Sequence, residues 1–60
     1  MNQIKTIAEA GRKAGIAANN RDYGMRRELH LWAMAAIKLD DNPKAARKAY
    51  DDAYSEAIRT

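Results

Sequence analysis

The stretch that decides the fold runs from residue 22 to residue 43, DYGMRRELHLWAMAAIKLDDNP. Within it Met25, Leu29, Trp32, Ala36 and Leu39 recur at steps of four, three, four and three, which lays them along one side of an α-helix as a seam for another helix. Leu31, Met34 and Ile37 fall off that seam and widen the apolar surface almost all the way round. A helix apolar on most sides belongs in the middle of a bundle or in an interface, so this helix is expected to be the central one. Asp40-Asp41 marks its end. Asn42 then offers a side-chain oxygen to the first free amides of a new helix. Pro43 suits the first helical position, because the N–H it lacks would have no partner there.

Downstream of that cap, Ala46, Ala49, Tyr50, Ala53, Ala57 and Ile58 make an apolar stripe, and Arg47–Asp51 and Lys48–Asp52 are spaced as i,i+4 ion pairs. Upstream, Ile4, Ile7, Ala8, Ala14 and Ala18 also recur at helical spacing, with Glu9 and Lys13 a further i,i+4 pair. Gly11 and Gly15 each cost that helix about 1 kcal/mol relative to alanine, so they mark either a close approach of two backbones or an early helix end. Asn19, Asn20 and Asp22 supply the turn before the second helix. No β-branched alternation indicates a strand. The reading is therefore all-α: three short helices, about 3–18, 22–39 and 43–59, in a compact bundle with helix 2 central, and one domain over residues 1–60.

The core available to that bundle is thin. The chain of 60 residues is 47% hydrophobic, but it has no Phe or Cys and most of the apolar content is alanine, which buries little area. A domain this small, without disulfides or a metal site, needs tight helix packing or a partner subunit. A homodimer is expected, with the surplus apolar residues Leu31, Met34 and Ile37 meeting a second copy. Trp32 is expected in the core. Tyr23, Tyr50 and Tyr54, each tolerating one wet end, are expected at an interface rim.

Little here resembles catalytic machinery. His30 has no Cys, Ser or second His beside it, as a metal site or a triad requires. Asp40-Asp41 and Asp51-Asp52 are neighbours on or beside helices, so each pair's side chains diverge by about 100° and do not converge on one atom. The first pair sits ahead of a helix N-terminus, where negative charge is favoured, and the second serves Arg47 and Lys48. No glycine-rich phosphate loop is present. The expectation is a non-enzymatic protein with no cofactor and no metal. No apolar run is long enough for a membrane span and the charged beginning is unlike a signal peptide, so a cytoplasmic location is expected.

Charge is what remains to indicate a partner. The net charge is +3, and from Met1 to Arg27 six basic residues stand against two acidic ones. Such a front half attracts phosphates or acidic protein surfaces; a solvated helix face explains it equally well. The candidate contacts are Arg12, Lys13, Asn19, Asn20, Arg21, Tyr23, Arg26 and Arg27.

Three resemblances bear on the choice. Residues 6–29, TIAEAGRKAGIAANNRDYGMRREL, resemble a helix-turn-helix reader in their first half, with Ala14-Gly15-Ile16 where that family places its turn glycine and the apolar residue after it. The likeness implies that Ala17, Asn19, Asn20 and Arg21 would read DNA. Arg21 and Gly24 stand where the family has buried apolar residues. Residues 32–58 resemble the junction between two tetratricopeptide repeats, although that architecture needs about three repeats to close a core. As a whole, the chain resembles in style the small helical early-region accessory proteins of temperate bacteriophages. That resemblance implies a regulatory role exercised on a host or phage protein. Two readings follow: a regulator acting through protein–protein binding and, in competition with it, a DNA-binding protein using the basic front half.

Overall fold

The computed structural model describes residues 4–59 and has three helices: α1 over Ile4–Asn19, α2 over Tyr23–Leu39 and α3 over Pro43–Arg59. Gln3, the expected first residue of helix 1, lies outside the described residues. The all-α, three-helix bundle expected from the sequence is thus the observed architecture, with boundaries within a residue of expectation wherever the chain is described.

Both connections are built from local hydrogen bonds. At the end of α1, Asp22 N–H donates to the Ala17 carbonyl at 2.8 Å and Arg21 N–H to the Ala18 carbonyl at 3.1 Å. This pair of bonds is a Schellman motif. The residue it forces into the left-handed region is Arg21, with φ 59°. Asp22 then caps α2, its carboxylate accepting from Met25 N–H at 3.2 Å. At the second connection Asp40 accepts from Asn42 N–H at 2.9 Å, and Asn42 Oδ1 accepts from Ala45 N–H at 3.3 Å. The Asn42-Pro43 start read from the sequence is the one the chain uses.

The hub of the bundle differs from expectation. It is α1 that packs along both other helices, most extensively along α3, whereas α2 and α3 touch only sparingly. Helix 2 was expected in the centre because of its many bulky apolar residues. What decides the matter is how closely backbones can approach, and that favours the helix with the smallest side chains. A Cβ added at Gly11 would lie 2.5 Å from the Tyr50 carbonyl oxygen, and one added at Gly15 would lie 2.6 Å from the Ala57 Cβ. The two glycines, one turn apart, therefore let α3 lie directly on α1.

The core matches that arrangement. Ile7, Ala10, Ala14, Ala33, Ala36, Ile37, Ala46 and Tyr50 form one buried cluster, with Ile4, Leu29, Met34 and Tyr54 packed on its edge. Three expectations need correcting. Trp32 is 49% exposed and not a core residue; it flanks the contact with α1, lining a shallow groove with Thr6, Glu9, Ala10 and Lys13 of that helix. Tyr50 is buried to 3%, because α3 is pulled onto α1 at its backbone. Among the residues expected to meet a second copy, Ile37 is buried within the monomer and Met34 is partly buried against the core, leaving only Leu31 exposed.

Candidate functional site

The sparing contact between α2 and α3 leaves a cleft. Next to their connection the two helices still touch through side chains: Arg47 Nη1 lies 3.6 Å from the Met34 sulfur. One turn further along, His30 Nδ1 and the Tyr50 hydroxyl are 3.2 Å apart, and the two rings meet edge to face at 5.7 Å. The hydroxyl donates when Nδ1 carries no proton and accepts when it does. Beyond this pair the walls separate into an open cleft of about 730 Å³. Tyr23, Arg26 and Arg27 stand on the α2 wall, and Asp51, Tyr54 and Ser55 on the α3 wall.

The walls combine aromatic surface with positive charge. Tyr50 and Tyr54 stack at 6.2 Å between centroids, as residues four apart on one helix face can. Across from them, the Arg26 guanidinium sits 5.3 Å over the Tyr23 ring, an arrangement that holds the charge at the cleft edge without neutralising it. The acidic group on the α3 wall, Asp51, accepts from Arg47 Nε at 3.4 Å. Burial raises the Tyr50 pKa above its ordinary value; nearby Tyr54 and Asp51 add to the rise, and Arg26 and Arg47 oppose it. Tyr50 is accordingly a neutral hydroxyl at the foot of the cleft.

The structure divides the sequence candidates. Arg26, Arg27 and Tyr23 come together at this cleft. Arg12 lines a separate groove with Lys5 and Glu56, and Lys13 is 3.5 Å from Glu9 on the surface of α1. Asn19 donates through Nδ2 to the Ala57 carbonyl at 2.9 Å, which ties the end of α1 to α3. Asn20 and Arg21 form the turn itself. The helix-turn-helix register is not what forms: Ala14, Gly15 and Ile16 lie inside an unbroken α1, and Gly15 is buried against α3. The segment from Ala17 to Arg21 is the end of one helix and not the start of another.

His30, Tyr50 and Tyr54 were not read as one site. Tyr50 and Tyr54 share a helix face by their spacing alone, but the pairing of His30 with Tyr50 depends on how far α3 slides along α2. Only the packing on α1 fixes that. Among the described residues no group of three or more His, Cys, Asp or Glu side chains is placed to hold a metal ion, and no helix is long and apolar enough to cross a membrane. No known family matches the chain, and no curated protein or solved structure matches it.

Proposed function

We propose that this chain is a small regulatory or accessory protein that acts by binding another protein and not by catalysis. In this reading the cleft between α2 and α3 receives an acidic segment that carries an aromatic or apolar side chain. The observation that carries it is the pairing of two unneutralised guanidinium groups, Arg26 and Arg27, with the stacked Tyr50–Tyr54 surface. Arginine and tyrosine are the residue types over-represented where binding energy concentrates. Their juxtaposition suits a carboxylate beside an apolar anchor. The style shared with phage accessory proteins agrees with a host or phage protein as the partner. The competing DNA reading is ranked second, because Arg12 and the Arg26–Arg27 pair line separate grooves and offer no single basic face.

The test is fluorescence anisotropy with a labelled peptide in which aspartates and glutamates flank one phenylalanine, at low salt. A peptide with lysines in place of the acids and a random-sequence duplex DNA serve as comparisons. The acidic peptide is expected to bind best, and reversing Arg26 and Arg27 to glutamate is expected to weaken it by at least about tenfold. Equal binding of the acidic and basic peptides, or tighter and steeply salt-dependent binding of the duplex, would overturn the reading.

A further inference from the structure

Five of the seven large apolar side chains that the described residues leave exposed lie on α2: Tyr23 at the cleft and, away from it, Leu39 at 83%, Leu31 at 58%, Trp32 at 49% and Met25 at 48%. Met25, Trp32 and Leu39 are seven residues apart in turn, so they follow one line down the helix with a drift of about 20° per step. Leu31 and Ala35 flank that line and are exposed too. Together they make a strip with an exposed apolar area on the order of 400 Å², the size of the largest patch on a monomer, which is often a functional surface.

The charges around this strip show what fits it. Glu28 interrupts it near its beginning and Lys38 borders it near its end, both exposed. Beyond the far end Asp40 and Asp41 follow Leu39, while Arg26 and Arg27, next to Met25, line the cleft and not the strip. The pattern is self-complementary when the strip is turned end for end. A two-fold axis outside α2, at the height of residue 33, sets Glu28 of one copy opposite Lys38 of the other, twice. It places Leu31 opposite Ala35, with the two Trp32 rings adjacent across the axis. A parallel pairing would instead stack Glu28 on Glu28 and Lys38 on Lys38.

We infer that the outer face of α2 docks a second copy of this chain in an antiparallel, two-fold arrangement. An interface of this size, roughly 800 Å² over both copies, falls in the range of weak, transient complexes, so the dimer is reversible. His30 is about 160° round α2 from Trp32, so pairing leaves both clefts open. If the cleft function proposed above holds, the dimer offers two such sites to one partner or to two. The pairing itself does not depend on that function.

Sedimentation equilibrium on the full chain, from low micromolar to about one millimolar, tests it directly. The native chain is expected to dimerise. Leu39→Glu is expected to weaken the dimer by about a hundredfold, with the circular dichroism of the monomer unchanged because Leu39 is almost fully exposed. Glu28→Lys and Lys38→Glu are each expected to weaken it by about tenfold. An equimolar mixture of those two variants, and the double variant carrying both changes, are expected to recover native association. A native chain monomeric throughout, or a Leu39→Glu variant that dimerises as the native chain does, overturns the assignment of this face. Failure of the mixture to associate better than its components overturns the antiparallel pairing. Peptide anisotropy on the monomeric Leu39→Glu variant reads the cleft separately.

Discussion

The two faces that α3 turns to its neighbours are opposites. Against α1 it meets glycine and alanine, and the backbones come so close that no Cβ fits at Gly11 or Gly15. Against α2 it meets His30, Arg26 and Arg27 across an open cleft. The first contact holds the fold together and leaves no room for a ligand; the second contributes little packing and leaves space for one. In a chain with so small a core, large side chains do not by themselves mark the interior. Trp32 and Leu39 end up outside because the strongest contact available was made by residues with almost no side chain.

The most direct way to break the comparison is to fill the tight contact. Gly11→Ala and Gly15→Ala each improve the helix propensity of α1 by about 1 kcal/mol. Each also drives a methyl group into α3, at a backbone carbonyl in the first case and against Ala57 and the Tyr54 carbonyl in the second. The net expectation is a loss of about 2 kcal/mol or more per substitution. Total stability for a domain this size is about 3–9 kcal/mol, so the double variant should lose about half of it or more. Gly24→Ala is the control: a Cβ there meets nothing nearer than the Asp22 carboxylate at 3.9 Å, and stability should hold or rise slightly. Urea denaturation followed by circular dichroism ranks the three. If Gly11→Ala and Gly24→Ala behave alike, the close approach of α1 and α3 is not what holds the bundle together.

The joint between α1 and α2 offers a second, smaller change in the opposite direction. Arg21 holds a left-handed conformation that costs an ordinary residue about 1 kcal/mol and glycine much less. Arg21→Gly is therefore expected to raise stability by about 1 kcal/mol, less the greater flexibility of the unfolded chain. The measurement is the shift of the denaturation midpoint at unchanged slope. A destabilised variant would mean that the arginine side chain contributes more at this turn than its backbone strain costs.

These contrasts also explain what could be read from the sequence. The helices were legible because their ends are written locally: Asp22 and Asn42 cap, Pro43 starts, and Asn20-Arg21 turns. The two glycines were legible as a close approach or a helix end, but not which of the two. The cleft was only half legible. Arg26, Arg27 and Tyr23 stood out by charge and amphipathic character on one short stretch. Their counterparts Tyr50 and Tyr54 are twenty and more residues away, and their position follows from the α1–α3 packing, which no local pattern encodes. The same packing buried Ile37, expected to meet a second copy, and left Trp32, expected in the core, half exposed.

Tyr50 belongs to both contacts at once, so it gives the finest probe of their difference. Its backbone carbonyl faces Gly11 in the tight contact, while its hydroxyl meets His30 at the foot of the cleft. Tyr50→Phe keeps the ring and removes only the second link. At neutral pH it should cost about 0.5 kcal/mol, the value of one modest hydrogen bond in partial contact with water. The alkaline limb separates this from a packing effect. Because the folded-state pKa of Tyr50 is raised, chiefly by burial, the folded protein favours the neutral phenol more than the unfolded chain does. That contribution is fully present below the ordinary tyrosine pKa of about 10 and is lost as pH rises through the folded-state value. The native chain should therefore lose stability faster than Tyr50→Phe above about pH 10, and the gap between them should narrow or reverse. Parallel stability curves across that range would show that the Tyr50 hydroxyl is not held in the buried, hydrogen-bonded position that closes the cleft.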